Sequence, residues 1–310
     1  MLAFVLSLIP FVYALFSTTV FNLWLTGWAV EFRSEMPPLL VALFPHALDR
    51  DAASVSKVTD LPAVLLRDFA LVALFAVQHS VMARPAFKRM IVRLGFPVHL
   101  ERSLYVLASC VVVHLIPVYA LSFGPELYST SGLLRTVIQS LRLFGLLFQL
   151  VAMLSFDFFD LLGVKQAWNP EAYKNTLNKK MVRQRAERQG GAIGCSLLAL
   201  LITHLWSRVL LVCFQSLNTN GLFGYMRHPI MTGFLVILWA APDMTLGRLY
   251  LSALLTGYIM LAVFAFEEPD LRCAFANYSQ YSKVVPPFFP HSIHAATLQE
   301  IDAAADTKRN

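Results

Sequence analysis

Four runs of roughly twenty residues, nearly free of charge, set the first constraint on the fold. They are Leu2 to Val20, Pro62 to Met82, Ser103 to Phe123 and Leu134 to Phe156. Each is long enough to cross a hydrocarbon core as a helix, the one open-chain conformation that satisfies its own backbone there. The 310 residues are 57% hydrophobic and 14% charged, whereas a soluble domain carries about 25% charged residues. A water-soluble core is therefore excluded. The expected class is all-α, a polytopic membrane helical bundle with about six transmembrane helices, the last two in a C-terminal hairpin. The first run lacks a basic leader and a small-residue cleavage site, and it continues into Trp24 and Trp28. It reads as a span with an interfacial aromatic belt rather than a signal peptide.

The net charge of +6 sits mostly in short loops. That suits loops facing the cytosol beside a lipid bilayer, and it does not suit nucleic acid. Arg84, Lys88, Arg89, Arg93 and Arg102, opposed only by Glu101, mark such a loop after the second run. Counting spans from it places the N-terminus and the exit of the fourth run on the same side. Four cysteines, Cys110, Cys195, Cys213 and Cys273, show no paired spacing and are expected as free thiols.

The stretch from Gly221 to Pro290 carries the densest chemistry. Arg227-His228-Pro229 opens an apolar run ending at Trp239, and Pro242 to Gly247 reads as a tight turn. A second apolar run, Leu249 to Phe266, ends in Glu267-Glu268-Pro269. Two antiparallel helices bring Arg227 and His228 back beside Glu267 and Glu268. Arg227-His228 alone reads equally as a basic pair marking the cytosolic side, and Glu267-Glu268 as a polar helix end. Brought together at the membrane boundary, they read as a functional site. A carboxylate suits an ammonium or sulfonium cation, and an arginine suits a carboxylate. A zwitterionic cofactor with an amino-acid head requires both, which is the physical case for S-adenosyl-L-methionine.

Two further polar groups lie at span ends: Gln78-His79-Ser80, and Glu101-Arg102-Ser103-Leu-Tyr105. Each reads either as a helix-end cluster that satisfies backbone groups or as part of a site. His79, His114 and His228 raise a metal alternative, but His114 lies mid-span away from the others, so no metal site is assigned. No GxGxxG, GxSxG or HExxH pattern occurs. One membrane domain is expected over residues 1–291. Within it, 177–220 reads as an insertion, because a full span there breaks the parity of the spans. Residues 292–310 read as a disordered polar tail.

The order Arg-His-Pro-x-x-x-Gly, apolar hairpin, Glu-Glu-x-x-Leu and Tyr278-x-x-Tyr281-x-x-x-Val285-Pro286 resembles the isoprenylcysteine carboxyl methyltransferase superfamily. Within it, Gln78-His79-Ser80-Val-Met-Ala-Arg84-Pro, Glu101-Arg102-Ser103-Leu-Tyr105 and Gly163-Val-Lys165-Gln166-Ala-Trp168 resemble the NnrU/nurim-like branch. That branch holds methanethiol S-methyltransferases and the nuclear envelope protein nurim. The resemblance covers about residues 61–171 and 221–290 and leaves out 177–220. It implies that Arg227, His228, Gly233, Glu267 and Glu268 line an S-adenosyl-L-methionine site, with His79 or His228 as the catalytic base. The acceptor it implies is a small apolar thiol. Met231 stands where the family usually has tyrosine. The alternative is a nurim-like, non-enzymatic multispan protein. The implied address is the endoplasmic reticulum or nuclear envelope if the protein is eukaryotic, and the cell membrane if bacterial.

Overall fold

A computed structural model describes residues 2–26, 60–121, 123–155, 158–175, 221–275 and 277–292. The expected insertion at 177–220, the loop at 31–59, Cys195, Cys213 and the tail beyond Ser292 lie outside the described residues. The chain is an all-α, multi-pass integral membrane protein. Among the described residues, five helical stretches are long and apolar enough to span: Phe4–Leu25, Leu61–Ala83, Glu101–Tyr119, Gly132–Leu154 and Leu246–Cys273.

Helix α1 covers Leu2–Leu25, α2 Leu61–Ala83, α3 Pro85–Arg93 and α4 Glu101–Tyr119. Local chemistry fixes their ends. Asp60 caps α2 by accepting the Ala63 amide at 3.1 Å, with Pro62 in the first turn. Arg84 is extended (φ −69°, ψ 140°) because Pro85 follows, and that break separates α2 from the short basic helix α3. Helix α4 packs against both α1 and α2. The outward faces are apolar: Leu66 is 68% and Val77 62% exposed, as lipid contact requires.

A short strand, β1 (Glu126–Ser129), precedes α5 (Gly132–Leu154). The short helices α6 (Phe158–Leu161) and α7 (Val164–Trp168) follow. The C-terminal hairpin comprises α8 (Pro229–Trp239), strand β2 (Asp243–Thr245) and α9 (Leu246–Leu261). A π-helical turn over Ala262–Glu267 leads into α10 (Glu268–Ala274), and α11 (Tyr278–Val284) closes the order. The core joins α1, α2, α4, α8 and α9 through residues such as Trp24, Val72, Ile116, Ile237, Leu251 and Val263.

Two features depart from the sequence expectation. The fifth expected span, the first arm of the hairpin, is only the 11-residue α8, about 16 Å long and too short to cross alone. The chain leaves the helix at Ala240 because the freed backbone finds partners inside the protein: Arg142 donates to Ala240 O at 2.8 Å, and Tyr128 to Ala241 O at 3.2 Å. The second departure is that the turn at 242–247 is a strand, not a bare loop. Strand β2 pairs antiparallel with β1, Ser129 opposite Asp243 and Glu126 opposite Thr245. Asp243 takes Ser129 Oγ at 2.6 Å and Arg135 at 2.8 Å. The pairing brings two loops that the charge pattern assigns to one side of the membrane to the same end of the bundle. Arg142, an interruption in the sequence run, also donates to Thr26 O, and Arg248 donates to Leu25 O at 3.1 Å. Both arginines are buried and cap the C-terminal carbonyls of α1.

Helices α5 and α8 approach closely at glycines. A Cβ on Gly233 would meet Gln149 Cβ at 2.7 Å, and one on Gly145 would meet Val236 Cγ1 at 2.8 Å. Small residues at a membrane helix contact permit this approach. Gly233→Ala is expected to destabilise the protein by about 1–3 kcal/mol through overpacking, seen as a lower melting temperature in detergent. An unchanged melting temperature contradicts the packing assignment.

Candidate functional site

The hairpin brings Arg227, His228, Glu267 and Glu268 together. Proline again sets the local geometry. Pro229 starts α8 with His228 at its N-cap position. At the other arm, Pro269 cannot donate a backbone N–H, and in a regular helix its ring clashes four residues back. The chain answers with the π turn before it: the Glu268 amide reaches Val263 O, five residues back. That extra residue divides the two adjacent carboxylates between different neighbours.

Glu268 is turned inward and buried. Its Oε1 accepts from Arg227 Nε at 2.9 Å and from Nη2, and Oε2 accepts from Arg272 at 3.1 Å. Arg227 is equally enclosed. Its Nη1 donates to Ser282 O at 2.9 Å and to Val285 O, and its amide donates to Pro286 O at 2.9 Å. The C-terminal segment thus wraps the start of α8. His228 N donates to Pro287 O at 2.9 Å, and Thr232 Oγ1 to Phe288 O at 3.0 Å. Tyr281 donates to Phe223 O at 2.6 Å and ties down the turn that precedes Arg227. Burial pushes the Tyr278 and Tyr281 phenols up, so both stay neutral as packing groups.

Glu267 is different: its side chain is 48% exposed, and His228 Nδ1 lies 3.5 Å away. The other ring nitrogen of His228 lies 3.4 Å from Glu268. The imidazole is thereby held between two carboxylates, one buried and one half-exposed. The Phe288 and His228 rings stand 6.0 Å apart, and Phe264 meets Phe288 edge-on, giving an aromatic wall beside the cluster.

The fold also joins the two upstream motifs. His79 of α2 stands against α4, with the Tyr105 hydroxyl 2.9 Å from Nε2 and 3.1 Å from Nδ1. Ser109 Oγ lies 3.3 Å from Nδ1. Phe75 lies between the rings of His79 and Tyr258, at 5.2 and 5.6 Å. Ser80 Oγ is 3.4 Å from the Tyr258 hydroxyl. These contacts join α2 to α9, the helix that runs on into the turn carrying Glu267. Arg84 anchors the same end through Asp270 at 2.8 Å and covers the Phe266 ring.

Gly233 stands apart from this group, at the contact with α5 described above. His114 lies far from both clusters, stacked on Tyr13 and Phe16 of α1. The residues that sequence reasoning missed are Ser109, Tyr258, Asp270, Arg272 and the carbonyls of 282–288. None of these carries a sequence signal; the one local signal nearby is Pro269, whose place after Glu267-Glu268 accompanies the turn that separates them.

The chain is 33% identical to methanethiol S-methyltransferase 2 of Bradyrhizobium diazoefficiens over 237 residues, 76% of this chain and 77% of that protein. It is 29% identical to the methanethiol S-methyltransferase of Mycobacterium tuberculosis, over 85% of this chain and 89% of that protein. It is 28% identical to rat (Rattus norvegicus) nurim, over 68% of this chain and 69% of that protein. No family model matches, and no solved structure matches.

The geometry separates the two glutamates experimentally. Glu268→Gln strips three cationic or titratable partners of their carboxylate and is expected to cost about 3–5 kcal/mol of stability, the range for breaking a buried pair. Glu267→Gln is expected to cost less than about 1 kcal/mol, as for an exposed pair. Thermal melts of the two variants in one detergent check the difference, and equal losses contradict it.

Proposed function

The chain belongs to the NnrU/nurim-like family that contains the methanethiol S-methyltransferases, and we propose that it transfers a methyl group from S-adenosyl-L-methionine to a small apolar thiol at the membrane. The observation that carries this reading is the half-exposed Glu267 carboxylate, 3.5 Å from the buried His228 imidazole, at the end of the helix that packs on the His79 cluster. A carboxylate in that position suits a cationic donor, and the neutral polar and aromatic groups beyond it suit an uncharged acceptor.

The residues fit the donor unevenly. Glu267 is accessible to an ammonium or sulfonium cation, with His228 holding the carboxylate in place. Arg227 and Glu268 use their hydrogen-bonding capacity on each other and on the C-terminal carbonyls. Their part in this reading is to hold the start of α8 against α10, so that the buried His228 stands behind the half-exposed Glu267. Gly233 contributes by letting α8 approach α5. The bound donor supplies an electrophilic methyl group. The protein supplies orientation and a proton acceptor for the thiol, whose thiolate is the competent nucleophile. His79 is better placed for that proton than His228, because hydroxyls rather than carboxylates face its ring. An apolar thiol partitions into the bilayer and reaches the bundle laterally.

The test is binding of labelled S-adenosyl-L-methionine to the full chain in detergent, followed by a thiol screen for methylated product. Glu267→Gln and His228→Ala are expected to weaken binding by about 10- to 100-fold, the loss of one charge-assisted contact. The Glu267→Gln protein is expected to melt as the wild type does. A folded wild-type protein without saturable binding sinks this reading in favour of a nurim-like, non-catalytic one, which the nurim relatives support.

A further inference from the structure

We infer that Tyr105 is a positioning residue for the acceptor half of the reaction: its hydroxyl holds the His79 imidazole so that one ring nitrogen is presented to the thiol. The inference rests on the reading above and gives it a second, independently testable half.

Four observations support it. The Tyr105 hydroxyl is the nearest polar atom described at the His79 ring, at 2.9 Å from Nε2. Tyr105 is itself buried and fixed from behind, with the Arg102 guanidinium 5.1 Å above its ring. Arg102 in turn donates to Leu161 O at 2.7 Å, so the ring is braced by the end of α6. Finally, Gln78 donates to Ser109 Oγ at 3.3 Å, while its own Oε1 is buried with no hydrogen-bond partner among the described residues. A buried acceptor left open next to His79 marks a place where a donor group, such as a thiol S–H, improves the balance.

The groups facing His79 are Tyr105 and Ser109 of α4, Phe75 on its own helix, and the charges of Arg102 and Glu267. In the proposed arrangement the Tyr105 oxygen, within reach of both ring nitrogens, accepts the Nε2 proton and fixes the tautomer, and the thiol takes the place of the Ser109 hydroxyl at Nδ1. The acceptor sulfur gives its proton to Nδ1 and forms its new bond to the methyl carbon. The sulfonium S–C bond of the donor breaks at the same time, and its electron pair stays on the departing thioether sulfur. The imidazolium proton then returns to solvent.

The test compares two acceptors with the same two-carbon skeleton, ethanethiol and trifluoroethanethiol, each variant read against wild type on the same thiol. The fluorines make the second thiol the stronger acid, so it needs no base when the buffer has already ionised it. Tyr105→Phe removes one oxygen and keeps the ring; His79→Gln removes the base. Both variants are expected to bind labelled donor as the wild type does. With ethanethiol, kcat/KM is expected to fall about 100-fold in His79→Gln and about 10-fold in Tyr105→Phe. In both variants the remaining rate is expected to climb with pH as the thiol ionises. With trifluoroethanethiol above its pKa, both variants are expected to stay within about threefold of wild type, because proton removal is no longer needed. Equal losses on the two thiols mean that Tyr105 is merely structural, and a Tyr105→Phe enzyme as active as wild type on ethanethiol also overturns the inference. A wild-type protein that neither binds donor nor methylates either thiol overturns the functional reading instead, and the two failures are distinct.

Discussion

The buried pair between Arg227 and Glu268 is the interaction on which the rest of the candidate site depends. Two charges at a membrane boundary are tolerable only when each is matched and hydrogen-bonded. Here the matching draws on four separate pieces of chain. Arg227 comes from the start of α8, Glu268 from the start of α10, Arg272 from one turn further on, and the carbonyls of Ser282 and Val285 from the C-terminal segment. Of these segments α8 belongs to the main core, while α10 and the C-terminal segment share only a small cluster around Tyr278, Tyr281 and Val285. The pair gathers them, and in doing so fixes His228 and leaves Glu267 facing out.

The division of labour between adjacent glutamates follows from one proline. In a regular helix Glu267 and Glu268 point about 100° apart, and nothing in that angle decides which is enclosed. Pro269 demands relief in the preceding turn, the π turn supplies it, and the resulting register commits Glu268 to the interior. Functional sites often coincide with such turns. Here the backbone irregularity has a plain chemical cause and a plain result: a structural carboxylate next to an accessible one.

Much of this architecture was legible before any coordinates. The apolar runs marked four of the spans to within a few residues, because lipid leaves a helix no alternative. The meeting of Arg227-His228 with Glu267-Glu268 followed from hairpin geometry alone. What the sequence hid was partnership. Arg227 looks available in the sequence because carbonyls from 282 to 285 have no signature, and Gly233 looks like a site residue because a motif does not reveal the Gln149 backbone behind it. The length of α8 was misjudged for a similar reason. Trp239-Ala-Ala-Pro242 reads as helix end and turn, whereas Arg142 and Tyr128, about a hundred residues earlier, make an extended exit affordable. Tyr105 and Tyr258 come together with His79 only through the packing of α4 and α9 against α2, which no local pattern encodes.

The two-stranded pairing at the far end bears on biosynthesis. Strand β1 leaves the ribosome more than a hundred residues before β2, so Ser129 and Arg135 must wait, without Asp243, until the last hairpin has entered the membrane. The pairing can therefore form only late in assembly, and until it does the β1 edge stands open at the membrane surface. Closing that edge and bringing the charged ends of the hairpin together both depend on the same last segment of the chain, so the two ends of the bundle are completed in one step.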